Sequence, residues 1–166
     1  MINDKTKNIL GIDPGSTTIG YVVISYKNKK SKPKAVSYGY IDLKEHVGQG
    51  KRLLQLYKDL KEIFNQFKPA CIAIENVYFF KNAKSFTAVM QSKGVILFAA
   101  EEANIKVYEY SPLEIKQTIS GYGRADKNFV RKLIQSSLEI TSEIKPDDVS
   151  DALAIALCYL RHLTIS

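Results

Sequence analysis

A chain of 166 residues that is 45% hydrophobic suits one folded domain with a buried core, spanning residues 1–166. It carries 24 Lys and Arg against 17 Asp and Glu, a net charge of +7 and a pI near 9.3, a balance that favours a polyanion such as nucleic acid as partner. No apolar run reaches the roughly 18 residues of a membrane span, and residues 1–7 are polar rather than a leader peptide, so no membrane attachment and a cytoplasmic location are expected. Cys71 and Cys158 lie in apolar runs and are not spaced with His46 and His162 as a zinc motif, which reads as two buried, reduced thiols.

The first strand signal, Ile9 to Asp13, ends in an acid and runs into Pro14-Gly15. That pair makes a tight turn, and Gly15 and Gly20 allow close backbone approach; an ordinary hairpin turn explains the same residues. Strands follow over Gly20–Tyr26 and Ala35–Leu43, the second alternating with Val36, Tyr38 and Tyr40 on one side. The lysine-rich stretch 27–34 between them is a hairpin loop, whose lysines face solvent or a phosphate backbone. Leu53, Leu56, Leu60, Ile63, Phe64 and Phe67 then recur at helical spacing until Lys68-Pro69 stops the helix. Cys71 to Glu75 is a short buried strand that also ends in an acid.

After Glu75, residues 76–84 join aromatics to lysines. Tyr78 can stack on an unpaired base or cap the core, and Lys81 and Lys84 can hold phosphates. A helix over Ser85–Asn104 is apolar around most of its circumference, which implies burial on more than one face, one against the core and one against a partner subunit. A strand at Ile105–Tyr110, a polar turn-rich stretch to Arg124, and helices at about Asp126–Glu139 and Val149–Leu163 complete the chain.

Three strands followed by alternating helices and strands indicate an α/β fold, a mixed sheet covered by helices. If the strands ending in Asp13 and Glu75 pair in parallel, both acids stand at the carboxyl edge of the sheet, where open α/β sheets bind ligands. Asp148 and Asp151, three residues apart, share a face of the last helix. Packing that helix on the sheet brings four carboxylates together, and Mg2+ ions would compensate them and hydrolyse a phosphodiester. Setting these four acids aside leaves 24 basic against 13 acidic residues, or +11, around them. First-turn acids also favour the helix dipole, Asp148 could serve as the N-cap, and Asp147 is an alternative to it as the ligand. Lys127 stands in a first helical turn against the dipole; with Lys116, Arg124 and the helix N–H groups it suits a phosphate, though each is also an ordinary surface cation.

Together these motifs resemble the RuvC family of Holliday-junction resolvases over nearly the whole chain. The resemblance is carried by Gly11-Ile12-Asp13-Pro14-Gly15-Ser16, Ala73-Ile74-Glu75-Asn76-Val77-Tyr78, Lys81-Asn82-Ala83, Val107-Tyr108-Glu109-Tyr110, Ile115-Lys116-Gln117-Thr118 and residues 148–156. It implies an RNase H-like mixed five-stranded sheet flanked by helices. It also implies a homodimer that nicks opposing strands of a four-way DNA junction, and the RuvA and RuvB branch-migration proteins as partners. Asp13, Glu75, Asp148 and Asp151 match the family's four acids, which bind Mg2+ or Mn2+, two ions per active site, with Asp13 the candidate to bridge them. Tyr78 matches the family's aromatic, in place of the commoner Phe, and Lys116 and Lys127 its basic DNA contacts. Three other readings compete: a non-catalytic nucleic-acid-binding module, a resolvase-like nuclease that processes RNA, and a phosphotransferase of the sugar-kinase and actin type. The last needs two such domains.

Overall fold

The computed structural model describes residues 6–28, 31–76, 83–123 and 125–165, with 83, 84, 164 and 165 described by backbone alone. A five-stranded mixed sheet of order β3-β2-β1-β4-β5 lies between two layers of helices. Strands β1 (Lys7–Asp13), β2 (Thr18–Tyr26) and β3 (Lys34–Asp42) form the antiparallel meander. Helix α1 (Gln49–Phe67) then crosses the sheet and returns the chain to β4 (Cys71–Glu75), which pairs in parallel with β1. Helix α2 (Ala83–Glu102) does the same for β5 (Lys106–Tyr110), parallel to β4. Helices α3 (Pro112–Ser120), α4 (Lys127–Leu138) and α5 (Asp147–Ile165) close the other face.

The central strands β1 and β4 carry unbroken buried apolar runs, Ile9 to Ile12 and Cys71 to Ile74, because both their faces are covered. Alternation sends Leu10, Ile12, Ile72 and Ile74 toward α1 and α2, where Leu56, Leu60, Ile96 and Ala100 meet them. Ile9, Cys71 and Ala73 point the other way, to Val149, Ala152, Leu153 and Ala156 of α5. Both cysteines are buried free thiols. Among the described residues no helix is long and apolar enough to cross a membrane.

Helix α1 ends where Lys68 takes a left-handed conformation ahead of Pro69, as the sequence predicts. Helix α2 buries Ile96, Ala99 and Ala100 and leaves Phe98 63% exposed beside the Tyr57 ring, so among the described residues part of its apolar surface stays uncovered. Two expectations are corrected. The stretch after Tyr110 is not merely turn-rich: it holds α3, capped by Ser111 and Glu114 in a reciprocal capping box, with Pro112 in the first turn and Gly121 as the left-handed stop. That signature is present in Ser111-Pro112-Leu113-Glu114 but lacks a long apolar period to announce it. Asp148 is not an N-cap: α5 starts at Asp147, and the Val149 N–H donates to the Pro146 carbonyl, placing Asp148 inside the first turn.

Candidate active site

The parallel register pairs Ile12 with Ile74, so the next residues, Asp13 and Glu75, end β1 and β4 side by side. They follow Gly11 and Ala73 in the alternation and therefore stand on the α5 face of the sheet. Two glycines let α5 come down onto that face. A Cβ at Gly11 would lie 2.5 Å from the carbonyl oxygen of Ala152, and one at Gly20 only 2.0 Å from that of Asp148. Gly20 is also the cross-strand partner of Asp13. The first turns of α5 thus ride over the carboxyl end of β1, and Asp148 and Asp151 share the helix face laid there.

The electrostatics record this convergence. The Asp13 carboxyl is pushed up to about 8, by burial first and then by the charges of Asp151, Glu75 and Asp148, with Lys127 opposing. Glu75 is also raised, by burial and by Asp151, and relieved by Lys116 and Lys127. Asp147 takes no part in this. Its side chain is 63% exposed, meets Arg131 Nη2 at 2.6 Å and Lys127 Nζ at 3.1 Å, and is held below the usual carboxylate range by Lys127 above all.

Two of the sequence-predicted cations reach the acids. Lys127, set at the start of α4 where Asp126 caps the N–H groups of Asn128 and Phe129, places Nζ 3.1 Å from Asp151 Oδ2. Lys116 lies on α3, and its charge bears on Glu75. Arg161 of α5 ties α3 down by donating to the carbonyls of Thr118 and Ile119 at 2.6 and 2.7 Å. Tyr78, Lys81, Arg124 and the side chain of Lys84 lie outside the described residues.

Sequence reasoning missed two participants. Gly11 carries the second α5 contact. Lys93 is buried behind Glu75 on the other face of the sheet, 2.6 Å from Glu109 Oε2 and 3.1 Å from Asn76 Oδ1. A lysine inside Ser92-Lys93-Gly94-Val95 gives no sign by itself of being turned inward.

The donor chemistry suits a hard divalent cation: four carboxylates from β1, β4 and α5, where burial and then the charges of the other three already favour a proton on Asp13. Among the described residues no three acidic, imidazole or thiol side chains are arranged as a ready ligand set. Lys127 holds an oxygen of Asp151, so a cation taking that carboxylate competes with the ammonium.

The family model described as crossover junction endodeoxyribonuclease RuvC matches residues 9–159. The RuvC of Caldicellulosiruptor saccharolyticus is 42% identical over 152 residues, covering 92% of this chain and 91% of that protein. The RuvC of Caldanaerobacter subterraneus is 42% identical over 151 residues, covering 91% and 90%. Among solved structures, Thermus thermophilus RuvC in complex with Holliday junction substrate superposes with a TM-score of 0.89 at 28% identity, covering 96% of each chain. The mixed sheet and its helices are therefore the RNase H-like resolvase fold. With a family match running through both acid-bearing strands and the acid-bearing helix, the chain belongs to the RuvC family of crossover junction endodeoxyribonucleases, the Holliday-junction resolvases.

Proposed function

We propose that Asp13, Glu75, Asp148 and Asp151 form the hydrolytic centre of this endonuclease, and that its substrate is a four-way DNA junction nicked symmetrically on opposing strands. The observation that carries the reading is that the ends of β1 and β4 lie side by side beneath the first turn of α5, where burial and then the charges of Asp151, Glu75 and Asp148 push the Asp13 carboxyl up. Asp13, Glu75, Asp148 and Asp151 hold two Mg2+ ions, or Mn2+ in their place. Bound there, the ions supply Lewis acidity to the attacking water and to the leaving 3′ oxygen. Lys116 and Lys127 flank the acids and hold the scissile phosphate against them. Tyr78 stacks on an unpaired base at the crossover, and Lys81, Lys84 and Arg124 extend the grip on the backbone.

The chain acts as one nuclease domain and as a homodimer, because two opposed nicks need two such centres. The exposed apolar face of α2, with Met90 and Phe98, supports that helix as the subunit contact. The free thiols of Cys71 and Cys158 suit a reducing cytoplasm, where RuvA and RuvB would present the junction.

The test is an annealed mobile four-way junction, end-labelled on each strand in turn, with Mg2+ or with EDTA. Paired symmetric nicks that need Mg2+ and leave ligatable duplexes are expected. Tight binding without nicks in both Mg2+ and Mn2+ would replace the nuclease centre with a junction-binding module, and cleavage of structured RNA alone would replace the substrate.

A further inference from the structure

Glu75 stands at the end of β4, and the residue after it is pinned from two directions. The Asn76 N–H donates to the Tyr110 carbonyl at 2.7 Å, extending the β4–β5 ladder by one bond. The Asn76 side-chain oxygen accepts from Lys93 Nζ at 3.1 Å. Lys93 belongs to α2 and is only 5% exposed. Its ammonium also meets Glu109 Oε2 at 2.6 Å, and Glu109 pairs in register with Ile74. A buried ammonium is costly unless compensated. Here the compensation comes from the residue that follows Glu75 and from the neighbouring strand β5, on the face of the sheet opposite the carboxylate itself.

We propose that Lys93 is a positioning residue for the metal centre. Through Asn76 and Glu109 it clamps the end of β4 to α2, so that the Glu75 carboxylate is presented to the ions at a fixed height above the sheet. This rests on the reading of Glu75 as a metal ligand. Lys93 touches neither ion nor DNA; it acts through the backbone that carries Glu75. Because α2 is also the helix assigned to the subunit contact, the clamp links that contact to the geometry of the centre. Outer residues that orient metal ligands characteristically change metal affinity or activity by about 10–100-fold when removed.

The test compares the parent with Lys93→Met, Lys93→Arg and Glu109→Gln. Junction cleavage is followed as kcat and KM, and Mn2+ affinity is measured without DNA by electron paramagnetic resonance. Lys93→Met keeps the apolar stem and takes the ammonium from Glu109 and from Asn76, both of them partly open to water, so it is expected to melt close to the parent. Its kcat is expected to fall about tenfold with KM little changed, and its Mn2+ dissociation constant to rise about tenfold. Lys93→Arg, which keeps the cation, recovers most of both. Lys93→Met matching the parent in kcat and Mn2+ affinity would overturn the proposal, as would Lys93→Arg being as poor as Lys93→Met. If Lys93→Met does not fold, Glu109→Gln carries the same expected losses, and parental behaviour there is equally decisive against it. A parent that binds Mn2+ but cuts no junction would sink the resolvase assignment alone, and the Mn2+ constants would then decide the role of Lys93.

Discussion

The carbonyl oxygen of Asp148 lies over Gly20, and Gly20 is the cross-strand partner of Asp13. One backbone contact thus sets the height of α5 above the strand that carries the first carboxylate. The same contact explains why the space must be empty: a single methyl group there would overlap the first turn of the helix. Asp148 and Asp151 ride on that turn, so the site is assembled by how closely a helix can approach a sheet.

Gly20→Ala is accordingly expected to lift α5 off the sheet. Overpacking of this kind costs about 1–3 kcal/mol. Catalytic geometry suffers more, since a misplacement near an ångström can cost about 100-fold in rate. Denaturant unfolding and junction cleavage of the variant measure the two effects together. Parental activity in Gly20→Ala would mean that α5 can shift without disturbing the acids.

Asp13→Asn keeps the size of the side chain and removes its charge. Cleavage is expected to disappear, while junction binding persists because Lys116 and Lys127 remain. Gel-shift titration in Ca2+ beside cleavage in Mg2+ makes the comparison. Loss of binding together with activity would assign Asp13 to folding rather than chemistry.

The raised pKa of Asp13 also has a stability consequence of definite sign. Its pKa is about 8 in the folded chain against an ordinary 3.8, so the folded state binds the proton more tightly. The stability this contributes is fully present below about 3.8 and is lost as pH rises through about 8. In metal-free buffer the parent is therefore expected to lose melting temperature relative to Asp13→Asn across that window, since the carboxamide does not titrate. Mg2+ should restore the parent most at the alkaline end, where it no longer competes with the proton. Calorimetry of both proteins with EDTA and with Mg2+ checks this, and a parent–variant difference that stays flat with pH would contradict it.

Asp147 and Asp148 are adjacent and chemically alike, yet only Asp148 contributes to the charge crowding at Asp13. Asp147 faces Lys127 and Arg131 at the surface, a type of pair worth about 0–1 kcal/mol. Asp148→Asn should abolish cleavage, and Asp147→Asn should leave it within about the fivefold that such an energy allows. Steady-state cleavage of both variants in parallel separates them. The reverse ranking would move the ligand to Asp147.

Much of the architecture was legible in the residues. Apolar runs ending in Asp13 and Glu75 mark two buried strands whose acids emerge at one edge, because burial of both faces demands continuous apolar sequence and the chain can turn polar only where the strand leaves the core. The spacing of Asp148 and Asp151 marks a shared helix face for the same periodic reason. Helix α3 escaped because nine residues give too few turns for a period to show, although its cap was written in Ser111 and Glu114.

By itself, the sequence determined every element but α3, which acids stand at their ends, and the family those motifs belong to. Tertiary structure decided the rest. It brought α5 onto β1 and β2 through Gly11 and Gly20, separated Asp148 from Asp147, and turned Lys93 inward beneath Glu75. The physical reason is range. Strand and helix periods are properties of neighbouring residues, whereas the charge on Asp13 and the burial of Lys93 depend on groups far away along the chain, whose distances exist only once the helices are packed.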